Sequence, residues 1–228
     1  YDADNRITKV ETSRDNYIWD TDAKYFYYEH GPLARTEIGE KQVAGSDFAY
    51  TLQGWLKGVN SNTLQTSRDM GKDADLTTSG LNQHFGTDAY GYSLGYYEND
   101  YNAIDDNFLA STASTAFNTA SPSLYNGNIK HMVTSMLNQN EVQQNVYGTA
   151  YRYDQANRIR KSNVFYRTDI VALNSFVNAL DIGLYKTEHH YDLNGNITEL
   201  LRNNDAAQLM DDLKYEYANN GNGYVMDG

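Results

Sequence analysis

A tyrosine returns along this chain with fixed company. Tyr1, Tyr27, Tyr50, Tyr153 and Tyr191 are followed four positions later by Asn5, Gly31, Gly54, Asn157 and Gly195, and six positions later by Ile7, Leu33, Leu56, Ile159 and Ile197. Two positions earlier, wherever the chain extends that far, stands another ring: Tyr25, Phe48, Tyr151 or His189. A worn sixth copy starts at Tyr215-Glu216-Tyr217 and puts Gly221 at the fourth position, but Gly223 at the sixth breaks the rule. Ordinary residue usage predicts about one chance match to the three-position pattern, so five matches mark an internal repeat.

The spacing predicts a β-hairpin. Residues two apart on a strand share a face, so Tyr25 with Tyr27, and Tyr151 with Tyr153, line one surface. Gly or Asn four residues on supplies the left-handed residue that ends a three-residue hairpin loop. The Tyr then lies across from the aliphatic at the sixth position, a pairing that contributes ~0.2–1 kcal/mol. On the other face Asp2 would oppose Arg6, and Asp154 would oppose Arg158, as solvent-side ion pairs or turn caps. Asp192 meets Asn196 instead, so the charge pair is optional. Val10, Val59 and Leu200, nine residues after their Tyr, fall on the wrong parity unless a second bulge intervenes.

The chain reads as one mainly β region over residues 1–228, with repeats near 1–13, 25–38, 48–60, 125–134, 151–165, 189–202 and 215–228. Insertions occupy 61–123 and 167–184. In the first, Tyr90 to Tyr97 reads as strand, and Ile104 to Phe117 shows weak helical spacing. Tyr125-Asn126-Gly127-Asn128-Ile129 reads as a hairpin with a tight Asn-Gly turn. In the second, Ile170, Leu173, Val177, Leu180 and Leu184 recur at offsets of three and four, which favours a short amphipathic helix over a strand.

Composition narrows the function. The 228 residues carry 18 Lys plus Arg against 30 Asp plus Glu, a net charge of −12, which opposes a nucleic-acid partner. No apolar run approaches the ~20 residues of a membrane-spanning helix, so no direct membrane insertion is expected. With no Cys there is neither a disulfide framework nor a thiolate zinc site. Aromatic content of 13% opposes disorder. With Tyr at 21 residues, amphipathic rings replace an aliphatic core in thin β-layers.

Candidate sites are few. His189-His190 fills the ring position before Tyr191 and is expected to be structural; His30 sits in a turn, and His84 and His131 are isolated. No His-Glu-x-x-His, Gly-x-Ser-x-Gly or phosphate-binding loop occurs, so no catalytic residue is nominated. Asp73 with Asp75, Glu98 with Asp100, and Asp105-Asp106-Asn107 lack calcium-loop spacing and are read as solvated loops. No metal or cofactor is therefore expected. Trp19, Trp55, Tyr96 and Tyr97 are weak candidates for stacking on a glycan, with Trp55 otherwise packing under its hairpin beside Gly54.

Tyr-Asp-Ala-Asp-Asn-Arg-Ile at 1–7, Tyr-Asp-Gln-Ala-Asn-Arg-Ile at 153–159 and Tyr-Asp-Leu-Asn-Gly-Asn-Ile at 191–197 resemble the YD repeats of bacterial rearrangement-hotspot (Rhs) proteins. Gln53-Gly54-Trp55-Leu56-Lys57 and Tyr125-Asn126-Gly127-Asn128-Ile129 are similar to other segments of that family. The resemblance implies antiparallel hairpins wound as a spiral sheet into a hollow shell, as in toxin-complex components, Rhs toxins and teneurins. It implies a non-enzymatic wall segment of a secreted or cell-surface protein, partnered by further repeats and a C-terminal domain of the same parent chain. The alternative is an adhesion or carbohydrate-binding scaffold, meeting a glycan or cell-surface receptor through the 61–123 insertion; a carbohydrate-active enzyme is a weaker third. The family's Asp-Pro cleavage motif has no counterpart, because Pro32 and Pro122 follow Gly31 and Ser121. Opening on Tyr1 and closing on Asp227-Gly228, the chain is expected to be a piece of a longer polypeptide.

Overall fold

The left-handed residues at the fourth position fold each repeat as the spacing requires. In the computed structural model, which describes residues 1–76, 82–103, 115–140, 142–219 and 224–226, Asn5, Gly31, Gly54, Asn157 and Gly195 all have positive φ, from 61° at Asn5 to 115° at Gly31. Each closes a turn of one form. The Asp154 N–H donates to the Arg158 carbonyl (2.9 Å) and the Asn157 N–H to the Asp154 carbonyl (3.1 Å); the same pair of bonds recurs at Asp192 and at Asp2.

Strands follow on either side of these turns: β1 (Lys9–Thr12), β2 (Asp20–Tyr27), β3 (Leu33–Ile38), β4 (Ala44–Tyr50), β5 (Leu56–Val59), β6 (Tyr90–Gly95), β7 (His131–Met136), β8 (Tyr147–Tyr153), β9 (Ile159–Tyr166), β10 (Leu180–Asp181), β11 (Thr187–Tyr191), β12 (Ile197–Asn203) and β13 (Leu209–Lys214). They form one open, antiparallel, 13-stranded sheet in which nearly every strand pairs with its neighbour in sequence; β10 pairs with β9 beside the main path. Two further strands, β14 (Tyr217–Asn219) and β15 (Tyr224–Met226), pair with each other. The helices among the described residues are α1 (Thr115–Ala120) and α2 (Ile170–Leu173).

The register places Tyr27 opposite Leu33, Tyr50 opposite Leu56, Tyr153 opposite Ile159 and Tyr191 opposite Ile197. One residue further from the turn every ladder slips. Arg152 pairs with Lys161, which leaves Arg160 as an extra residue, and His190 pairs with Glu199, which leaves Thr198. This bulge resolves the parity conflict: Val59 now opposes Phe48, and Leu200 opposes His189. It also marks a copy with no tyrosine. Asn203 pairs with Leu209, Ala207 takes φ 59° and Met210 is the extra residue. Asn203 and Ala207 stand where the pattern asks for Tyr and Gly or Asn, so this copy is invisible to a tyrosine search.

Several expectations give way. Tyr1 lies outside any strand, so the first copy is a turn with one arm. In the worn copy Asn219 pairs with Tyr224 and Tyr217 with Met226, a wider hairpin than the pattern implies; its Gly221 and Gly223 lie outside the described residues. Tyr125 to Ile129 forms no hairpin; the Asn126 side chain accepts the Asn128 N–H (3.1 Å) in a local turn. The helix expected over 167–184 lasts one turn, stopped by left-handed Asn174 (φ 49°). After it Val177 and Leu180 are exposed, and Leu180 belongs to β10. Most of the helix expected from Ile104 lies outside the described residues; α1 begins at Thr115.

The apolar core sits under the middle of the sheet. Phe117 from α1, Ile170 from α2 and Phe176 pack on Val133, Val146, Ala150 and Phe165 of the β7–β9 face, all essentially buried. Phe117 lies 4.8 Å from the Phe165 ring and 5.6 Å from the Phe176 ring. Gly148 makes room for both insertions: a Cβ there would stand 2.8 Å from Phe117 and Phe176.

Candidate functional site

The repeats are joined by a seam that the sequence pattern alone does not display. The Tyr27 hydroxyl donates to the Ile7 carbonyl (2.8 Å), Tyr153 to Ile129 (2.8 Å), Tyr191 to Ile159 (2.7 Å) and Tyr217 to Ile197 (2.8 Å). In three of these bonds the phenol reaches the sixth-position carbonyl of an earlier repeat; the fourth acceptor, Ile129, ends the turn that starts at Tyr125. Tyr96 makes the equivalent bond to Leu56 (2.7 Å). Phenols suit this task because the ring covers apolar area while the hydroxyl satisfies a strand-end carbonyl.

The Asp–Arg pairs belong to the same seam: they are partly buried rather than solvent-side, and each Asp also caps its own turn as expected, Asp2 accepting the Asp4 and Arg6 N–H groups and Asp154 those of Ala156 and Arg158. Arg6 Nε lies 2.7 Å from Asp2 Oδ2, and Arg158 Nε 2.7 Å from Asp154 Oδ2, all four side chains partly buried. The guanidinium of Arg6 stacks 4.6 Å above the Tyr27 ring, and that of Arg158 4.4 Å above Tyr191. Each Arg also reaches the next turn, Arg6 at the Gly31 carbonyl (3.2 Å) and Arg158 at the Asp192 carbonyl (3.4 Å). Hydrogen bonds from the Arg6 and Arg158 backbone amides hold the Asp2 and Asp154 carboxyls below their ordinary pKa.

Two of the four proposed aromatic contacts, Trp55 and Tyr96, come together. Trp55 lies 4.9 Å from buried Tyr96, and Tyr97 stacks on Tyr125 at 4.9 Å. Trp55 also sits 3.6 Å from where a Cβ would stand on Gly127, so it packs on the 125–129 turn as well as beside Gly54. Tyr97 accepts a bond from Gln53 (2.7 Å) and borders a cleft of about 460 Å³ lined by His30, Tyr50, Gly54, Asp100 and Tyr101. Trp19 is exposed in the segment before β2, outside that cleft. At the cleft's inner end Asp100 pairs with buried Lys57 at 2.7 Å, the extra residue of its own bulge. Asp100 is therefore not the solvated loop residue that its sequence context implies.

Asp73 and Asp75 are also buried, which overturns their reading as solvated. Asp73 belongs to a group of carboxylates where the first insertion meets the sheet. Arg35 of β3 donates from Nη1 to Asp47 of β4 (2.5 Å), from Nη2 to Asp73 (2.7 Å) and from Nε to Glu37 (3.3 Å). Its guanidinium lies 4.6 Å over the Phe85 ring. Asp69, just after a 3₁₀ turn at Thr66–Arg68, accepts the Asp73 N–H on Oδ2 (2.9 Å). Burial, against the pull of Arg35, pushes Asp47 up to about 7; burial and then the Asp69 charge push Asp88 to about 9. Side chains at Gly45 or Gly71 would collide with Arg35 and with Asp73 or Asp47, so both glycines are needed for this close approach.

The histidines follow the structural reading. His189 stacks on Tyr191 (6.4 Å, 12°) and His30 on Tyr28 (5.2 Å). His131 is not isolated: it packs edge-on to Phe117 at 5.0 Å, and burial, with Lys57 and Lys130 nearby, lowers its pKa to about 3.

No family model and no curated protein matches this chain. Solved structures show weak similarity, and two illustrate it. The TcdB2–TccC3 crystal structure is 10% identical with a TM-score of 0.27, covering 93% of this chain and 11% of that one. The TcdB2–TccC3–TEV crystal structure is 11% identical with a TM-score of 0.26 and the same coverage. The chain thus spans about 11% of the length of these neighbours. At such scores the likeness carries no functional inference.

Proposed function

We propose that this chain is a non-enzymatic wall segment: a run of YD-type hairpins that, with further repeats of its parent chain, encloses or displays another domain. The observation behind this reading is the seam. Phenol-to-carbonyl bonds and stacked guanidinium groups repeat between neighbouring hairpins and serve to hold a sheet together edge to edge. The ends of the sheet support it as well. β1 and β13 each have one unpaired edge, and Ile7, Phe26, Ile38, Leu209 and Met210 are exposed. Such surfaces invite additional repeats or a neighbouring layer. Secretion or surface display follows from the repeat resemblance alone and belongs to the proposal. To test it, the parent coding sequence is expressed and the domain next to the repeats is challenged with protease. Protection relative to that domain alone is expected; equal cleavage rates would rule out enclosure.

A second reading is favoured by the cleft beside Tyr97. Its aromatic lining, with Asp100 at its inner end, suits stacking against a sugar ring. Nuclear magnetic resonance titration with an oligosaccharide panel decides this: saturable shifts confined to Tyr50, Tyr97 and Tyr101 support a glycan-binding scaffold, and their absence removes it.

A further inference from the structure

We propose that Asp47, Asp69 and Asp73 form a buried site for one calcium ion, which fastens the first insertion to the sheet. Each residue offers an oxygen, and these oxygens lie within 4.8 Å of one another. Calcium binds oxygen at about 2.3–2.6 Å, so two ligands of one ion stand at most about 5 Å apart.

Two observations separate this group from an ordinary acidic patch. Asp73 Oδ2 and Asp69 Oδ1 are buried and have no hydrogen-bond partner, although the other oxygen of each carboxylate is satisfied. Asp73 is 1% exposed and Asp69 4%. A desolvated oxygen without a donor costs about 1–3 kcal/mol, and more when charged, so two of them side by side require a partner. Second, the charges do not balance. Asp47, Asp69, Asp73 and Glu37 gather around one guanidinium, that of Arg35. A divalent cation supplies both the missing positive charge and the missing partner for the oxygens.

The donor set selects the ion. All three ligands are carboxylates, which suit a hard cation. The site is closed, and magnesium keeps several of its waters, so calcium fits better. Asp47 lies on β4, whereas Asp69 and Asp73 lie in the insertion; the ion would therefore bridge segments that the chain connects only through a long excursion.

The test uses the full chain, stripped with chelator at pH 8 and titrated calorimetrically with calcium chloride and magnesium chloride. One saturable calcium site is expected, with a higher melting temperature on saturation. Asp69→Asn should weaken calcium binding about tenfold or more, because affinity follows ligand charge; Asp212→Asn, on exposed β13, should leave it unchanged. Manganese added to the unaltered protein should broaden the amide signals of Gly45 and Gly71 first. This locates the site even if Asp69→Asn fails to fold. No saturable heat with calcium, tighter binding of magnesium, broadening centred elsewhere, or undiminished affinity in folded Asp69→Asn would each overturn the proposal.

Discussion

The outer hairpins and the middle of this sheet are built on different terms. In β1–β3 and β11–β13, residues are half-buried or exposed almost throughout, and neighbours are joined by phenols, guanidinium groups and turns. In β7–β9 the insertions cover one face, and Phe117, Phe165 and Phe176 pack together almost fully buried. The repeat thus specifies register and contact between neighbours, while the insertions supply the burial that stability depends on. A thin sheet of the first kind is marginal alone; the second kind anchors it.

Four changes would break or sharpen that contrast. Phe176→Ala in the middle should cost about 3–5 kcal/mol, because it opens a cavity in a closed core; urea unfolding measures it, and a loss below about 1 kcal/mol would deny the insertions their anchoring role. The second change is acidification. Neutral His131 has a folded pKa of about 3, below its unfolded value of 6.5. Its contribution is therefore complete above pH 6.5 and declines as pH falls from there towards 3. Melting temperatures across that window should fall less steeply in His131→Gln; parallel curves would exclude His131 as a source. Third, Gly54→Val and Gly195→Val should each cost more than about 1 kcal/mol. At Gly54 the cause is isolated: φ is +80° and a Cβ would meet nothing within 4 Å, so only backbone strain remains. Unchanged unfolding midpoints would remove that explanation. The smallest effect belongs to Tyr191→Phe, which deletes one seam bond and should cost about 0.5–1.5 kcal/mol. Hydrogen exchange should then quicken in β11 and β12 while β7–β9 stay protected; uniform quickening would erase the distinction between the two regions.

How much of this was legible beforehand follows the same division. The hairpins were readable because each turn needs a particular backbone conformation, and Gly or Asn announces it. The pairing of Tyr153 with Ile159 and of Tyr191 with Ile197 followed directly. The bulge was implied only as a parity conflict at Val59 and Leu200, since Lys57 and Thr198 as extra residues carry no chemical mark. The insertions were misread where local spacing competed with long-range packing. Leu173, Val177 and Leu180 kept helical intervals, yet the buried ring is Phe176, off that stripe, and Asn174 ends the helix before the stripe can form. The carboxylate group was hidden for another reason: Asp47 is separated from Asp69 and Asp73 in sequence, and Gly45 and Gly71, which admit them, look like any other glycines.

The phenol bonds of the seam have a direction. In each phenol bond named above, the donor lies later in the chain than its acceptor: Tyr27 to Ile7, Tyr153 to Ile129, Tyr191 to Ile159, Tyr217 to Ile197. A chain leaving the ribosome emerges from its N-terminal end. Each of these phenols meets a carbonyl already laid down, whereas Arg6 and Arg158 must wait for the later turns they bind at Gly31 and Asp192.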